Sequence, residues 1–293
     1  MRIVATLKSM DEIEHLGNIG VDVFLVQTNY FTAKAVYPFS LSEIDLIVKK
    51  VKQMQKSIYI LMNTMIHETD LVELHNYLSI LNKMNVDGIV CFDMTILVAS
   101  KEHNMEHLMI YQPGTMNTNG YDSWFLHQFK IKGMTISKEI TLEDIIDISS
   151  NHHHLEISLV GHGYLDMFYS RRPLLTNYFS FKGEKIQNYL SSTSFYLKEE
   201  MRKNEEYPIV EDRFGTYIFR SKKLSSFQEL GVLKPYLTDL FLERIFMSDD
   251  EYYQAIKAYQ NESLVSSFFN TYNKLYDSGF YYRKTEKIKG ENE

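Results

Sequence analysis

Short apolar runs rich in β-branched residues recur along this 293-residue chain, and a helical pattern follows most of them. Eight such runs stand out, and they begin at Arg2, Val21, Ser57, Asp87, His107, Gly133, Leu155 and Asp239. Strands that alternate with helices pair in parallel and wind in a right-handed sense. Because there are eight, and no G-x-G-x-x-G follows the first, we predict a TIM-barrel-like (α/β)8 fold rather than an open dinucleotide-binding sheet.

The interval between the seventh and eighth runs is long. It contains extended pieces such as SFYLKEEM and YPIVEDRFGTYIFRSKK. No linker rich in Pro, Ser or Gly marks a boundary there, so we predict one domain over residues 1–293, with a small β-containing insertion at about 180–237. The charged tail at about 283–293 is expected to be frayed.

Composition excludes several classes of protein. A formal net charge of −7 argues against a uniformly basic nucleic-acid-binding surface, although it permits a local basic patch. The chain has one cysteine, Cys91, which rules out a disulfide framework and a multi-cysteine metal site within the chain. We find no signal-peptide pattern and no apolar run near the roughly 18 residues of a membrane span. A cytoplasmic protein without membrane contact is therefore expected.

Polar residues follow the predicted strands. In barrels of this kind, binding and catalytic groups collect at the carboxyl ends of the strands. Those ends carry Gln27, Asn29, Asn63, Asp93, Gln112, Asn117, Lys138, Glu139, His162, Glu243 and Arg244. Simpler explanations remain open: Asp93 could cap the next helix, and Lys138 and Glu139 could form an ion pair with no role in a reaction. The candidates for catalysis are His162, Glu139, Lys138 and Glu243.

The stretch GHGYLDMFYSRRP contains the densest cluster of candidates. His162 lies between Gly161 and Gly163, which permit unusual backbone angles or the close approach of another group. A lone histidine is otherwise more often a hydrogen-bonded structural residue. The adjacent Arg171 and Arg172 could form a fork for a carboxylate or phosphate, or one could be solvated and the other packed.

Motifs of known chemistry are missing. The histidines of NHHHLE, 152–154, precede a strand at the end opposite the expected site, so we predict no metal site there. The sequence contains no G-x-S-x-G elbow, no H-E-x-x-H and no Walker loop. Cys91 lies within an apolar strand and is expected in the core. The residues alone predict a barrel with a polar mouth that recognises an anion, without naming a reaction.

Several segments resemble the peptidase U32, or collagenase-like protease, family. The signature region of that family is similar to EISLVGHGYLDMFYSRRPLLTNYF, through Glu156, His162-Gly163, Tyr169-Ser170 with Arg172, and LLTNYF. The segment PIVEDRFGTYIFRSKKL resembles E-D-x-x-G-T-Y-I-x-N-S-K-x-L, and DLFLERIFMSDDEYYQAIKAY resembles the segment that normally contains I-E-G-R. VDGIVCFD, YQPGTMNTN and GMTISKEITLEDI also match, so the resemblance covers nearly the whole chain. It implies a TIM-barrel-like fold.

One departure from the family concerns cysteine. Well-known members carry several cysteines near the signature, and in some branches these hold an iron–sulfur cluster. Here Asp166 and Pro173 stand where the first two are expected, and the later cysteine-rich segment is missing. A cluster needs about four thiolates. We therefore expect no cofactor in this chain.

The resemblance implies three alternative functions. Family members take part in prephenate-dependent 5-hydroxylation of wobble uridine in tRNA, and short and long paralogues occur together in Gram-positive bacteria. This chain resembles the short, cysteine-poor paralogue, so tRNA and a longer paralogue are its expected partners and prephenate its co-substrate. The alternatives are a peptidase and a non-catalytic scaffold. The residues expected to bind substrate are Asn63, Asp93, Gln112, Asn117, Ser170, Arg172, Asp212, Ser221, Lys222 and Arg244.

Overall fold

The computed structural model describes residues 1–35, 37–184 and 195–283. The described strands are β1 Arg2–Thr6, β2 Val23–Gln27, β3 Ser57–Met62, β4 Gly88–Cys91, β5 Met109–Tyr111, β6 Gly133–Thr135, β7 Glu156–Gly163, β8 Asp166–Ser170, β9 Tyr196–Leu197, β10 Tyr207–Asp212, β11 Gly215–Phe219, β12 Lys223–Ser225, β13 Asp239–Leu242 and β14 Tyr276–Asp277. The α-helices are α1 Ile13–Asn18, α2 Leu41–Gln53, α3 Leu71–Leu81, α4 Met94–Glu102, α5 Gly120–His127, α6 Leu142–Ser150, α7 Leu174–Phe181, α8 Leu230–Leu233, α9 Asp249–Gln260 and α10 Val265–Tyr272. The predicted frayed tail lies outside the described residues from 284 onward, as do residues 185–194 of the predicted insertion.

Eight of these strands close a parallel barrel. Strands β1 to β7 pair in sequence order, and β13 pairs with both β1 and β7. Asp239 of β13 is in register with Arg2 on one side and with Ser158 on the other. The closed barrel confirms the predicted (α/β)8 architecture, with the strands in the predicted order.

The side chains of the barrel strands alternate between two apolar layers. Val4, Val23, Leu25, Tyr59, Leu61, Val90, Ile110 and Phe241 contact one another inside the barrel. Their neighbours along the strands, such as Phe24 and Ile60, face the surrounding helices. Because both faces are covered, the strands read as continuous apolar runs rather than as alternating ones. This is the feature that made them recognisable in the sequence.

Five of the described α-helices, α2, α4, α5, α6 and α9, begin at a side chain that caps them. Ser40 and Glu43 form the capping box predicted by the S-x-x-E pattern, and Thr141 with Asp144 forms another at the start of α6. None of the described helices is long and apolar enough to cross a membrane.

A small antiparallel sheet lies outside the barrel. Its strands follow the order β8-β11-β10-β9, so β-structure outside the barrel begins at Asp166, earlier than the predicted 180. Buried Val210, Tyr217 and Phe219 of this sheet pack on Ala33, from the loop after β2. Strand β12 then returns to the barrel and pairs antiparallel with the end of β7. The small sheet is thereby held over the carboxyl ends of the barrel strands.

Candidate functional site

A cavity of about 320 Å³ opens at the carboxyl ends of the barrel strands, under the small sheet. All eight barrel strands, or the residues directly after them, supply polar or apolar lining residues: Thr6, Gln27, Asn63, Phe92, Gln112, Thr135, Val160 and Glu243. This is the end at which barrel enzymes carry their sites. The volume matches a small organic ligand.

A cluster of charges lies on one side of the cavity. Lys138 Nζ donates to Asp166 Oδ1 at 2.5 Å, and Lys34 Nζ lies 3.3 Å from the same oxygen. Burial by itself raises the pKa of the Asp166 carboxyl, but the ammonium groups of Lys34 and Lys138 outweigh it, and the net pKa is lowered. Asp166 is therefore ionised and shared by two cations.

Glu243 belongs to the same cluster but has no such partner. Its side chain lines the cavity and makes no hydrogen bond with any other described residue. Burial raises the pKa of the Glu243 carboxyl, and Asp166 adds to that effect, whereas Lys34 and Lys138 act against it. A carboxyl with a raised pKa in a cavity is a suitable group for exchanging a proton with a ligand.

Neutral polar groups also line the cavity. Gln112 Nε2 donates to Thr135 Oγ1 at 3.2 Å, and Asn63 Oδ1 accepts from the Ala33 backbone N–H at 2.8 Å. Gln27 Oε1 accepts from the Tyr37 N–H at 3.2 Å. These bonds leave amide hydrogens of Asn63 and Gln27 for a ligand, since each amide nitrogen carries two.

Arg244 lines the cavity with its charge already balanced. Its Nη1 donates to Glu12 Oε1 at 2.7 Å and its Nη2 to Asp249 Oδ1 at 2.8 Å. The guanidinium also lies over Tyr252, 4.7 Å from the ring centroid. Its Nε is buried without a hydrogen-bond partner among the described residues. Arg244 therefore shapes the cavity wall and retains one unused donor.

Aromatic side chains form a roof over the cavity, which we define as Tyr164, Phe168, Tyr169, Tyr217 and Phe219. The rings of Tyr169 and Tyr217 stack at 4.8 Å, and Lys34 Nζ lies 5.2 Å from the Tyr217 centroid. Asp212 ties this sheet to the barrel, because its Oδ2 accepts from the Lys34 backbone N–H at 2.8 Å. The roof thus covers the charge cluster and helps to exclude water from it.

Three exposed arginines lie just beyond the roof, and we call Arg171, Arg172 and Arg213 the arginine rim. Arg213 Nη2 donates to the backbone oxygens of Asn29 and Tyr30, and Arg171 Nη1 donates to the Arg213 oxygen at 3.1 Å. The Arg172 side chain makes no hydrogen bond or ion pair with another described residue. It is the rim member that is free to contact a partner.

His162 is not at the cavity. It is fully buried, and its ring nitrogens lie 3.3 Å from the Tyr259 hydroxyl and 3.2 Å from that of Tyr276. Burial, followed by the charge of Lys223, lowers the pKa of His162 to about 3. The ring is therefore neutral. It is part of the core, because β7 directs it outward, into the space between the barrel and the surrounding helices. The structure therefore does not support the candidate catalytic role.

Several other predicted residues also have local tasks. Asp93 caps α4 by accepting a hydrogen bond from the Thr95 N–H, which was the simpler explanation for this residue, and it also accepts one from the Ile66 N–H. Asn117 is buried and donates to the Thr135 carbonyl. Ser170 Oγ accepts a hydrogen bond from the Arg172 N–H, and the Ser221 hydroxyl donates one to Glu205. Glu139 and exposed Lys222 do not line the cavity. Lys138 pairs with Asp166 rather than with Glu139.

Two members of the charge cluster, Lys34 and Asp166, are not among the site residues predicted from the sequence. Lys34 was overlooked because it lies seven residues beyond the end of β2, at Gln27, in a loop that folds back over the barrel. Asp166 was noted only as a position where relatives have cysteine. A charged residue in the loop after a barrel strand was the available signal for Lys34.

The residues present do not fit an iron–sulfur cluster. Cys91, the chain's single cysteine, is fully buried in β4, where burial raises the pKa of its thiol. Asp166 is committed to two lysines, and Pro173 stands at the start of α7. Among the described residues no group of three or more His, Cys, Asp or Glu could hold a metal ion.

The fold and the cavity define a TIM-barrel-like protein with a covered cavity that is lined by lysine side chains at the carboxyl ends of its strands. The sequence matches peptidase family U32 over residues 8–289, and the chain belongs to this family. It is 26% identical to tRNA hydroxylation protein P2 of Bacillus subtilis, over 97% of this chain and 98% of that protein. It is 24% identical to tRNA hydroxylation protein P of Escherichia coli, over 75% of this chain and 57% of that protein.

Two further proteins that are similar to this chain are named as a protease or a peptidase. An uncharacterized protease of Methanocaldococcus jannaschii is 24% identical over 82% of this chain and 62% of its own length. The solved structure of a U32 peptidase superposes with a TM-score of 0.51 at 15% identity, over 83% of this chain and 92% of the other. That likeness supports the fold alone.

Proposed function

We propose that this protein is a component of tRNA wobble-uridine 5-hydroxylation and acts in the cytoplasm with a cysteine-containing paralogue. The observation that carries the proposal is the similarity to tRNA hydroxylation protein P2, which extends over 97% of this chain and 98% of that protein. A match along both whole chains spans the segments that form the cavity, the roof and the rim. The shorter overlap with protein P leaves 43% of that protein without a counterpart here, since 57% of it is covered.

The cavity suits prephenate as a co-substrate. Prephenate is a small dicarboxylate that also carries a hydroxyl and a carbonyl group. Lys34 and Lys138 offer two ammonium groups, and the amides of Asn63 and Gln27 offer neutral donors. Cations and fixed donors in a covered site hold such a ligand more strongly than they would in open water.

The arginine rim supports an RNA partner. Arg171, Arg172 and Arg213 are exposed on one edge of the small sheet, and guanidinium groups recognise phosphates with paired donors. Exposed Tyr30 lies under Arg213, with its ring centroid 5.3 Å from the guanidinium carbon. A local basic edge with an aromatic face is compatible with the net charge of −7.

The test is nucleoside mass analysis of tRNA from a strain lacking the gene. We expect 5-hydroxyuridine-derived wobble bases to fall, and a wild-type copy to restore them. A copy with Lys138→Ala should fail to restore them. A copy with Lys49→Ala should succeed, because Lys49 lies on the outer helix α2 and its one ion pair among the described residues is with Asp45. Unchanged wobble bases in the deletion strain would overturn the proposal.

The two nucleophiles that the peptidase alternative could use, Ser170 and Cys91, bond to no base among the described residues. Ser170 Oγ bonds only to the Arg172 N–H among the described residues, and Cys91 is buried. Cleavage of gelatin by the purified protein, abolished by Ser170→Ala, would favour this alternative over tRNA hydroxylation. A scaffold without chemistry would leave the Lys138→Ala copy fully able to restore the tRNA.

A further inference from the structure

We propose that the outer face of helix α5 docks a second copy of this chain and so forms a symmetric dimer. The inference is independent of the proposed function, because it concerns the outside of the barrel and not the cavity. It begins from three exposed aromatic residues of α5, Tyr121, Trp124 and Phe125, which we call the aromatic stripe. Their spacing of three and four residues places them on one face of the helix.

The orientation of α5 leaves its large side chains outside. Ser123 and Leu126 are its buried residues. The Ser123 hydroxyl donates to the backbone oxygens of Gly120 and Asn151, at 2.7 and 2.9 Å, and so fixes the helix against the end of α6. The residues of the aromatic stripe are exposed by 83%, 52% and 49% in chain order. An outer helix normally has its apolar side chains toward the core and polar ones outside, and α5 shows the reverse.

The size of the aromatic stripe fits the centre of a protein interface. An aromatic side chain presents on the order of 200 Å² when it is fully exposed. The exposed fractions of the three residues therefore add up to roughly 350 Å² of mostly apolar surface. A patch of this size on a monomer is often a binding site. One partner of a stable interface buries about 800 Å², and a polar rim around the stripe would supply the rest.

Charges of opposite sign border the two sides of the aromatic stripe. On the side of α4, Lys101 Nζ lies 4.6 Å from the ring centroid of Phe129, and the Phe129 ring lies 5.3 Å from that of Phe125. On the side of α6, the side chains of Glu143 and Asp147 are exposed. None of these three charged side chains forms an ion pair with another described residue. Their charges are thus available to a partner.

This arrangement of charge is self-complementary. A two-fold axis that lies in the interface and runs along α5 places the α4 side of one copy against the α6 side of the other. Lys101 and Asp147 both lie near the carboxyl ends of their helices, so they have similar heights along the barrel. The dimer then contains two such pairs of opposite charge, one on each side of the packed aromatic rings. A partner of uniform charge would meet repulsion on one side, which favours a second copy.

Trp124, the single tryptophan of the chain, reports directly on whether the stripe is covered. Sedimentation equilibrium and tryptophan fluorescence are measured together on the full chain, from nanomolar to high-micromolar concentration. We expect a monomer–dimer equilibrium in which the emission moves to shorter wavelength as the dimer forms, because the indole leaves water. Tyr121→Ser should weaken the association about tenfold or more. Val72→Ser is the matched control, because Val72 is 75% exposed on α3, and it should leave the association unchanged.

Charge reversal tests the proposed symmetry. Lys101→Glu places like charges opposite each other twice in every dimer, so we expect it to weaken the association about tenfold. Adding Asp147→Lys to the same chain exchanges the two signs and should restore the wild-type affinity. A double variant that associates as weakly as Lys101→Glu would refute this arrangement of the two copies.

Three other outcomes would overturn the inference. The first is a monomer at every concentration, with the emission of an exposed indole throughout. The second is a dimer whose affinity is the same in Tyr121→Ser. The third is a stripe covered by something else. Emission already at short wavelength in the monomer, and shifted to longer wavelength by deletion of residues 284–293, would assign it to the C-terminal segment. Emission that responds only to the cysteine-containing paralogue would assign it to that chain.

Discussion

Gly163 fixes the position of Glu243. Its φ is +107°, and a Cβ at this position would lie 2.6 Å from the Glu243 backbone oxygen and 2.8 Å from the Glu243 Cβ. Gly163→Ala therefore combines backbone strain with a clash against backbone, and we expect it to cost about 3 kcal/mol or more. Urea unfolding measures this. Gly183→Ala is the matched control, because its φ is +77° and a Cβ there would meet no atom of the described residues within 4 Å, so it should cost about 1 kcal/mol. Equal losses of unfolding free energy in the two variants would show that the clash with Glu243 does not contribute to the destabilisation.

The adjacent side chains of Arg171 and Arg172 differ in how they are held by neighbouring residues. Arg171 is held by the Arg213 carbonyl at 3.1 Å, whereas the side chain of Arg172 has no described hydrogen-bonding partner. We therefore expect Arg172→Ala to weaken tRNA binding about tenfold and Arg171→Ala to weaken it less, because one phosphate contact contributes on the order of 1 kcal/mol. Filter binding at fixed salt measures both. Equal effects would contradict the assignment of Arg172 as the free member.

The ends of the predicted strands were sufficient to find those cavity residues that follow a barrel strand closely in the sequence. Asn63, Gln112, Lys138, Glu243 and Arg244 all line the cavity. The sequence could not show whether one particular side chain points into the cavity or into the core, and His162 illustrates the reason. Two glycines around a histidine resemble a flexible site, yet Gly161 and Gly163 are there because neighbouring atoms leave no room for a Cβ. That cause exists only in the folded barrel.

At the scale of elements, His162 joins three segments. Its ring links the end of β7 to Tyr259 of α9 and Tyr276 of β14, and it stacks on Tyr276 at 5.0 Å. The order of the barrel strands was predictable, since each apolar run is long enough to be seen. The four-stranded sheet was predictable only as extended pieces, because its pairing of β8 with β11 joins residues that are far apart in the sequence.

This junction makes stability depend on pH. The pKa of His162 is about 3 in the folded protein and about 6.5 in an unfolded chain, so the unfolded state binds the extra proton between these values. Stability contributed by the neutral ring is present above pH 6.5 and is lost as pH falls below it, by about 1 kcal/mol per pH unit. Urea unfolding at pH 6 and pH 5 should show this loss in the wild type.

His162→Phe is the control for that experiment. Its ring does not titrate, and the hydroxyls of Tyr259 and Tyr276 keep the Gly161 carbonyl and Glu251 as acceptors. The variant should therefore lose about 1 kcal/mol less than the wild type between the two pH values. An identical loss in both proteins would assign the pH dependence to other groups.

At the scale of the whole molecule, charge and thiol chemistry set what the chain can do alone. With a net charge of −7, the proposed RNA binding would have to come from a local basic surface, and the arginine rim is a local basic surface. With one buried cysteine, chemistry that needs an iron–sulfur cluster has to come from another chain. Both properties were visible in the composition, whereas the location of the rim required the fold.

The last prediction concerns iron. After anaerobic incubation with iron and sulfide and removal of excess reagent, the purified chain should retain far less than one iron per chain, because Cys91 is a single, buried thiol with a raised pKa. Iron analysis and visible absorption measure this, and Cys91→Ser should behave as the wild type does. Stoichiometric iron that disappears in Cys91→Ser would contradict the prediction and require a cluster shared between chains. If the prediction holds, hydroxylation of tRNA in a purified system should require the cysteine-containing paralogue.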